Sequence, residues 1–339
     1  MIIVTGSSGF IGKNLISLID DQAANAGLHG SPVYTCDYVD NSRGFPADIH
    51  PNDLIKFLER WEGRIAAVIH LGAISDTTAP ASDELLTNNV DFTMDLYEAC
   101  KRLQIRFMYA SSAATYGGGE HGHFDDDALE HLAKLNPLNP YARTKAMVDH
   151  RIFESIDNGG GKPPQLVGLK FFNVYGPHEE HKGHMRSIML KMHDQILTFG
   201  EEENPHIHLF KSYEDEFDHG EQRRDFVHVD DCCKVIYWLL ENEDVNGLFN
   251  VGTGQAESFN CVASHVFHNM GYENYFGVKY IEMPEDIQEQ YQYDTQASVT
   301  KLRGAGYKEP FLSIGEGVKK YINFLTKDAE GSNYNTKEV

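Results

Sequence analysis

Ile2-Ile3-Val4-Thr5-Gly6-Ser7-Ser8-Gly9-Phe10-Ile11-Gly12 is the stretch whose reading decides the fold. A β-branched run passes into three glycines spaced three apart and then into a helix-like pattern from Ile11 to Ile19. Glycines at this spacing let a strand turn tightly into a helix. They also let the backbone approach a pyrophosphate at the helix N-terminus and let helix and strand pack closely. The expectation is a dinucleotide site built on Gly6, Ser8, Gly9, Phe10, Ile11 and Gly12.

Outward from this turn the chain keeps alternating. Strand-like Val33 to Cys36, helix-like Leu54 to Trp61 and strand-like Ala66 to His70 are followed by helical Asp83 to Leu103, strand-like Arg106 to Ala110, helical Tyr141 to Ser155 and strand-like Gln165 to Phe172. This rhythm is the signature of βαβ units, so the fold class expected is α/β, a Rossmann-type doubly wound parallel sheet. After Pro177, loops rich in His, Glu and Gly surround one helix-like block, Met185 to Leu197, and Arg224 to Val251 returns to strand-helix-strand. The expected organisation is interleaved. Residues 1–173 plus 225–251 form the NAD(P)-binding domain, 174–224 plus 252–327 a smaller α/β substrate domain, and 328–339 a disordered polar tail.

Composition narrows the partners. Of 339 residues, 51 are acidic and 29 are Lys or Arg, a net charge of -22 that repels nucleic-acid phosphates and anionic headgroups. Basic residues inside motifs therefore carry more information than usual. The apolar stretch Ile65 to Ala73 is broken by His70, and no stretch has the length of a membrane span. No basic, cleavable leader is read at the N-terminus, so a cytoplasmic protein is expected. Five cysteines, at 36, 100, 232, 233 and 261, form no C-x-x-C pair and read as reduced packing thiols. The acidic runs Asp125 to Asp127 and Tyr213 to Glu221 read as solvated loops.

Two further places carry chemistry. The second strand ends near Asp37, where a carboxylate suits the adenosine ribose of NAD, whereas Arg43 nearby suits a 2′-phosphate. The cofactor is accordingly written NAD(P). Farther on, Ala110-Ser111-Ser112-Ala113-Ala114-Thr115-Tyr116-Gly117 leaves a strand, and Tyr141-Ala142-Arg143-Thr144-Lys145 opens a helix. Residues four apart share a helix face, so Tyr141 and Lys145 can address one reacting atom, with Ser112 arriving from the strand. A phenol beside an ammonium and a cationic ring can serve as acid or base near neutral pH.

The set resembles the extended short-chain dehydrogenase/reductase family of nucleotide-sugar enzymes. The resemblance runs over nearly the whole chain, through His70-Leu71-Gly72-Ala73, Asn88-Asn89-Val90, Phe172-Asn173-Val174-Tyr175-Gly176-Pro177 and Arg224-Asp225-Phe226-Val227-His228. A closer likeness is to the branch that acts on ADP-activated heptoses, in stretches such as His181-Lys182-Gly183, Phe249 to Phe259 and Tyr291-Gln292. It implies transient oxidation of the sugar at carbon 6 and return of the hydride to the opposite face, by tightly held cofactor with NADP favoured. It further implies cofactor contacts at Tyr38, Asp48, Ile49, Leu71, Gly72, Ala73 and Asn89, besides Tyr141 and Lys145. Substrate contacts are implied at Ser112, Asn173, His181, Lys182, Arg224 and Tyr291. A second acid/base is required because the alkoxide proton lies on different sides of the sugar before and after inversion, and the matching position is Lys182. A homo-oligomer is implied, a pentamer among its forms.

The trio His178, His181 and His184 lacks a Cys or acidic partner fixed by spacing, and no metal is expected. Two loops depart from the family pattern, His121 to Asn136 and Glu214 to Gln222. Rival readings are a nucleotide-sugar 4,6-dehydratase, a UDP-hexose 4-epimerase and a regulatory protein that binds cofactor without turnover. A dehydratase would want an Asp-Glu pair where Ala113 and Ala114 stand.

Overall fold

A computed structural model describes residues 1–25, 32–38, 47–199, 205–272, 277–288 and 291–334. The chain passes back and forth between two compact units. The first takes the described residues of Met1–Phe172, Cys232–Val251 and Ser298–Lys308; the second takes those of Asn173–Asp231, Gly252–Ala297 and Glu309 onward.

In the first unit the strands β1 (Ile2–Thr5), β2 (Val33–Cys36), β3 (Ala67–His70), β4 (Arg106–Ser112) and β5 (Leu166–Phe171) join the strand Gly247–Val251 in one sheet. Their order is β2-β1-β3-β4-β5 followed by Gly247–Val251, with every pair parallel. All of β3 and β5 is buried, which is why these strands read as near-continuous apolar runs rather than alternating ones. Leu54 and Leu58 of α2 (Pro51–Arg60, preceded by α1, Phe10–Asn25), with Leu96, Val148 and Ile152, pack with Ile3, Val68, Phe107 and Leu166 in one core. The chain runs outward from β1 to β2 and then returns past β1 to β3. The carboxyl ends of β1 and β3 are thus the switch point where such sheets open a ligand crevice.

Sequence periodicity predicts one helix over Asp83 to Leu103. The structure interrupts it: a π turn at Thr87–Asp91 lies between helices Asp83–Leu86 and Phe92–Arg102. The wider turn accompanies a wholly buried Asn89, whose side chain holds backbone inside the unit. The acids at 125 to 127 are not all solvated either. Asp125 is buried and accepts the Asn250 N–H at 2.9 Å, and Asp127 pairs with Lys301 at 2.7 Å. These contacts also draw Ser298–Lys308 into the first unit.

The second unit pairs Arg223–His228 with Asn173–Tyr175 in parallel, with Ala256–Ser258 in antiparallel, and with Asp294–Thr295. A separate parallel pair joins Ile207–Phe210 to Val278–Ile281. Helices Ile188–Phe199, Phe259–Asn269 and Ile314–Tyr334 supply its core, with Met192, Ile196, Val262, Phe267, Val318 and Tyr321 packed on Phe226 and Tyr175.

Several boundaries differ from the sequence reading, Asn173 falling in the second unit and Ser298–Lys308 in the first. Residues 225–231 lie in the second unit, because a strand pattern does not say which sheet its ladder will join. The block at Met185 to Leu197 divides into a 3-10 turn, Glu180–Met185, and a helix that starts at Ile188. The last helix continues to Tyr334, so the polar tail is helical over that part, and 335–339 lie outside the described residues. No helix among the described residues is long and apolar enough to cross a membrane.

The glycine turn yields a first prediction. A Cβ on Gly12 would stand 2.2 Å from the Gly6 carbonyl oxygen and 2.9 Å from Ser7 Cα, both backbone atoms that cannot swing aside. Gly12→Ala should cost about 1–3 kcal/mol of stability, read by urea denaturation; an unchanged midpoint would show that the turn has room to spare.

Candidate functional site

At the switch point two turns meet. Gly6, at φ +65°, lies so close to the turn after β3 that a Cβ on it would come within 2.6 Å of the Gly72 nitrogen. Leu71 N–H donates to the Thr5 carbonyl at 3.2 Å, and Gly72 N–H to Thr5 Oγ1 at 3.2 Å. The Gly6 carbonyl accepts from Gly9 N–H at 3.0 Å, which aims the start of the helix at the crevice. Ser7 Oγ is buried with no hydrogen-bond partner among the described residues. Asp37 reaches the same turn from the end of β2: its Oδ2 accepts the Ser8 N–H at 2.8 Å and its Oδ1 the Tyr38 N–H at 2.8 Å. A backbone cradle with no room for side chains, an orphan hydroxyl and a carboxylate at the neighbouring strand end together fit a dinucleotide.

The remaining expected cofactor residues divide. Tyr38 is exposed, its ring edge-on to His50. Asp48 and Ile49 instead complete the edge beside β2. Asp48 Oδ2 accepts from the Thr35 N–H and hydroxyl, each at 2.8 Å, and Ile49 is buried in the core. Asn89 accepts the Ile74 N–H and donates to the Ile74 carbonyl and to Thr144 Oγ1, so its amide is committed to fixing the loop that follows Ala73. Arg43 lies outside the described residues.

The catalytic candidates converge. Asn139 caps the helix Pro140–Asp157 by accepting the Ala142 N–H at 2.8 Å, and Pro140 opens its first turn. Tyr141 therefore stands at the start of the helix, where it hydrogen-bonds Ser112, the last residue of β4. Burial pushes the Tyr141 phenol up, and the Ser112 hydrogen bond opposes that shift. Lys145, one turn on, is nearly inaccessible and donates to the Ala110 carbonyl at 2.8 Å, with Nζ 5.9 Å from the Tyr141 ring centre. Its ammonium is lowered to about 8 by burial, against the attraction of Asp149. The phenol is thus served directly by the serine, and the lysine stands behind the ring.

Sequence reading did not single out the network below Lys145. Asp149, a turn farther along, accepts from Tyr109 Oη at 2.9 Å, from Ser111 Oγ at 2.8 Å and from Lys170 Nζ at 2.7 Å. Lys170, fully buried, also donates to Thr115 at 2.7 Å. Asp149 follows Tyr141 and Lys145 at four-residue spacing, and that recurrence was the available signal.

The second unit holds the other expected residues. Asn173 and His181 are exposed, and Lys182 is half-buried in the 3-10 turn, its ammonium lowered by burial against the pull of Glu179. Glu179, also missed, is fully buried and ties the turn together by accepting from Gly176 N–H, Ser187 N–H and Ser187 Oγ. Arg224 and Tyr291 come together, the guanidinium 5.0 Å from the Tyr291 ring centre and 5.7 Å from that of Phe259. Asp225 beside it is buried and gathers the N–H groups of Thr253, Gly254 and Ala297.

Residues 2–252 match the NAD dependent epimerase/dehydratase family, and the chain belongs to it. Its relatives include the ADP-L-glycero-D-manno-heptose-6-epimerase of Fusobacterium nucleatum subsp. nucleatum, 41% identical over 337 residues, 97% of this chain and 99% of that one. The enzyme of the same name from Nitratidesulfovibrio vulgaris is 38% identical over 95% of this chain and 97% of its own. The crystal structure of the Helicobacter pylori ADP-L-glycero-D-manno-heptose-6-epimerase is similar at a TM-score of 0.73 and 25% identity, covering 96% of each chain.

The buried ion pair gives a second prediction. Asp149→Asn leaves Lys170 charged and buried, and should cost about 3–5 kcal/mol; Asp149→Asn with Lys170→Met should recover much of that loss in urea denaturation. Equal stability of the two variants would mean that the pair is not coupled.

Proposed function

We propose that this chain inverts carbon 6 of ADP-D-glycero-β-D-manno-heptose to give ADP-L-glycero-β-D-manno-heptose, through a transient ketone. The observation that carries the reading is the Tyr141–Ser112 contact one turn before a buried Lys145, in a chain that matches relatives of that name over nearly its whole length. When bound, a nicotinamide dinucleotide supplies hydride acceptance and return, with no net redox change. NADP, one per subunit, is favoured by the resemblance. A homo-oligomer goes with the same resemblance.

The chain's own residues divide the proton work. Burial favours the protonated phenol of Tyr141 and the neutral amine of Lys182, so Tyr141 suits the acid and Lys182 the base in one direction. The roles exchange in the reverse direction, as microscopic reversibility requires. Ser112 donates to the phenolate as it forms. Arg224, in contact with the Tyr291 and Phe259 rings, is the cation for the ADP-sugar phosphates, and Asn173 and His181 contact the sugar. Gly6, Ser8, Gly9 and the turn Leu71–Gly72–Ala73 form the pyrophosphate platform.

Proton NMR of the carbon-6 signals of ADP-D-glycero-D-manno-heptose, with purified protein, tests the reading. Interconversion is expected, with Tyr141→Phe lowering turnover roughly 10²-fold or more and Lys182→Ala acting similarly. Epimerisation of a UDP-hexose with no change in the heptose would overturn it. The pH profile adds a further expectation. Because burial lowers the Lys145 ammonium to about 8, the cation behind Tyr141 disappears as pH rises through that value. Turnover should decline there, and the limb should vanish in Lys145→Met, whose residual activity is lower at all pH.

A further inference from the structure

Five side chains, those of Thr5, His70, Thr93, Asn89 and Thr144, form a directed hydrogen-bond line through the interior of the first unit. At one end Gly72 N–H donates to Thr5 Oγ1 at 3.2 Å, and Thr5 Oγ1 lies 2.6 Å from His70 Nδ1. His70 Nε2 lies 2.9 Å from Thr93 Oγ1, which donates to the Asn89 carbonyl at 2.8 Å. Asn89 Nδ2 donates to Thr144 Oγ1 at 3.1 Å, and Thr144 Oγ1 donates to the Tyr141 carbonyl at 2.7 Å.

The protons on this line can be placed. Thr93 has one hydroxyl proton, which faces the Asn89 carbonyl, so its oxygen accepts from His70 and Nε2 carries the hydrogen. Nδ1 is then bare and accepts from the Thr5 hydroxyl, whose oxygen in turn accepts Gly72 N–H. A second ring proton would point at Thr5 Oγ1 and take away its acceptor. The surroundings agree: the ring is 2% exposed, lies between Phe107 and Phe92, and is held to about 3 by burial and by Lys145, the charged group facing it.

We propose that His70 is a positioning residue, locked as the neutral Nε2–H tautomer, that holds the glycine turn and the Tyr141 helix in a single register. Thr5 directly precedes Gly6, and Gly72 is the residue against which Gly6 packs. At the other end the line reaches the backbone of Tyr141 itself. The imidazole is its only group with a direct hydrogen bond both to β1 and to the helix Phe92–Arg102. This inference rests on the reading of the turn as the cofactor platform and of Tyr141 as the acid/base.

The test begins with nitrogen-15 NMR of the histidines in the full chain, the His70 signals being identified by their loss in His70→Phe. An unprotonated Nδ1 with a protonated Nε2, unchanged from about pH 8 to about pH 5.5, is expected; titration near the ordinary histidine value of about 6.5, or the opposite tautomer, overturns the proposal. The second readout is dissociation of NADH and NADPH, followed by their fluorescence. His70→Phe should weaken binding and lower turnover, each by roughly tenfold or more. Phe107→Leu, which loosens the packing on the ring and leaves the line intact, should lower the melting temperature and leave both constants unchanged. Equal constants in His70→Phe and native protein would overturn the coupling. If His70→Phe does not fold, Thr93→Val removes the acceptor of the Nε2 hydrogen and should give the same shifts. Tautomer and dissociation are measured without heptose, so failure of the substrate assignment and failure of this inference are separable.

Discussion

Two backbones lying in contact at the switch point, Gly6 after β1 and Gly72 after β3, are the constraint on which the candidate site depends. A side-chain carbon on Gly6 would sit 2.6 Å from the Gly72 nitrogen, and one on Gly12 would sit 2.2 Å from the Gly6 oxygen. Three segments therefore meet at a spacing that only backbone allows. The consequence is a platform of N–H groups at a helix start, with Asp37 and the orphan Ser7 hydroxyl at its margin. Threonine and histidine side chains beneath it replace the hydrogen bonds that such a tight crossing would otherwise leave unmade.

The charge of the chain is arranged with the same economy of space. A molecule with net charge -22 keeps several of its cations inside, each held by a different device. Lys170 has a carboxylate and a hydroxyl, Lys145 a backbone carbonyl, and Arg224 two aromatic faces. Burial pulls the ammonium groups of Lys145 and Lys182 down while it pushes the phenol of Tyr141 up. The phenol and the amines thus acquire opposite tendencies from one physical cause, desolvation of the charged form.

The parallel sheet, the glycine turn and the Ser112, Tyr141, Lys145 set were legible because each is local: a period, a spacing, or an i,i+4 relation on one helix. What was not legible was pairing at a distance. Asp37 was expected at the cofactor, and its carboxylate does reach the Ser8 amide, whereas Asp48, expected beside it, is taken by Thr35. Asn89 and the acids at 125 and 127 look alike in sequence to exposed polar residues. They are set apart only by what they meet in the fold, Ile74 and Thr144 for one, Asn250 and Lys301 for the others.

By itself the sequence determined the order of elements, the placement of glycines where no side chain fits, and the residue types able to move a proton. Tertiary structure alone decided which sheet Arg223–His228 joined, that Ser298–Lys308 returned to the first unit, and that Asp149 and His70 would lie buried as anchors. The reason is physical. Hydrogen-bond periodicity is written along the chain, but burial and the partner of a buried polar group depend on residues scores of positions away, and only folding brings those together.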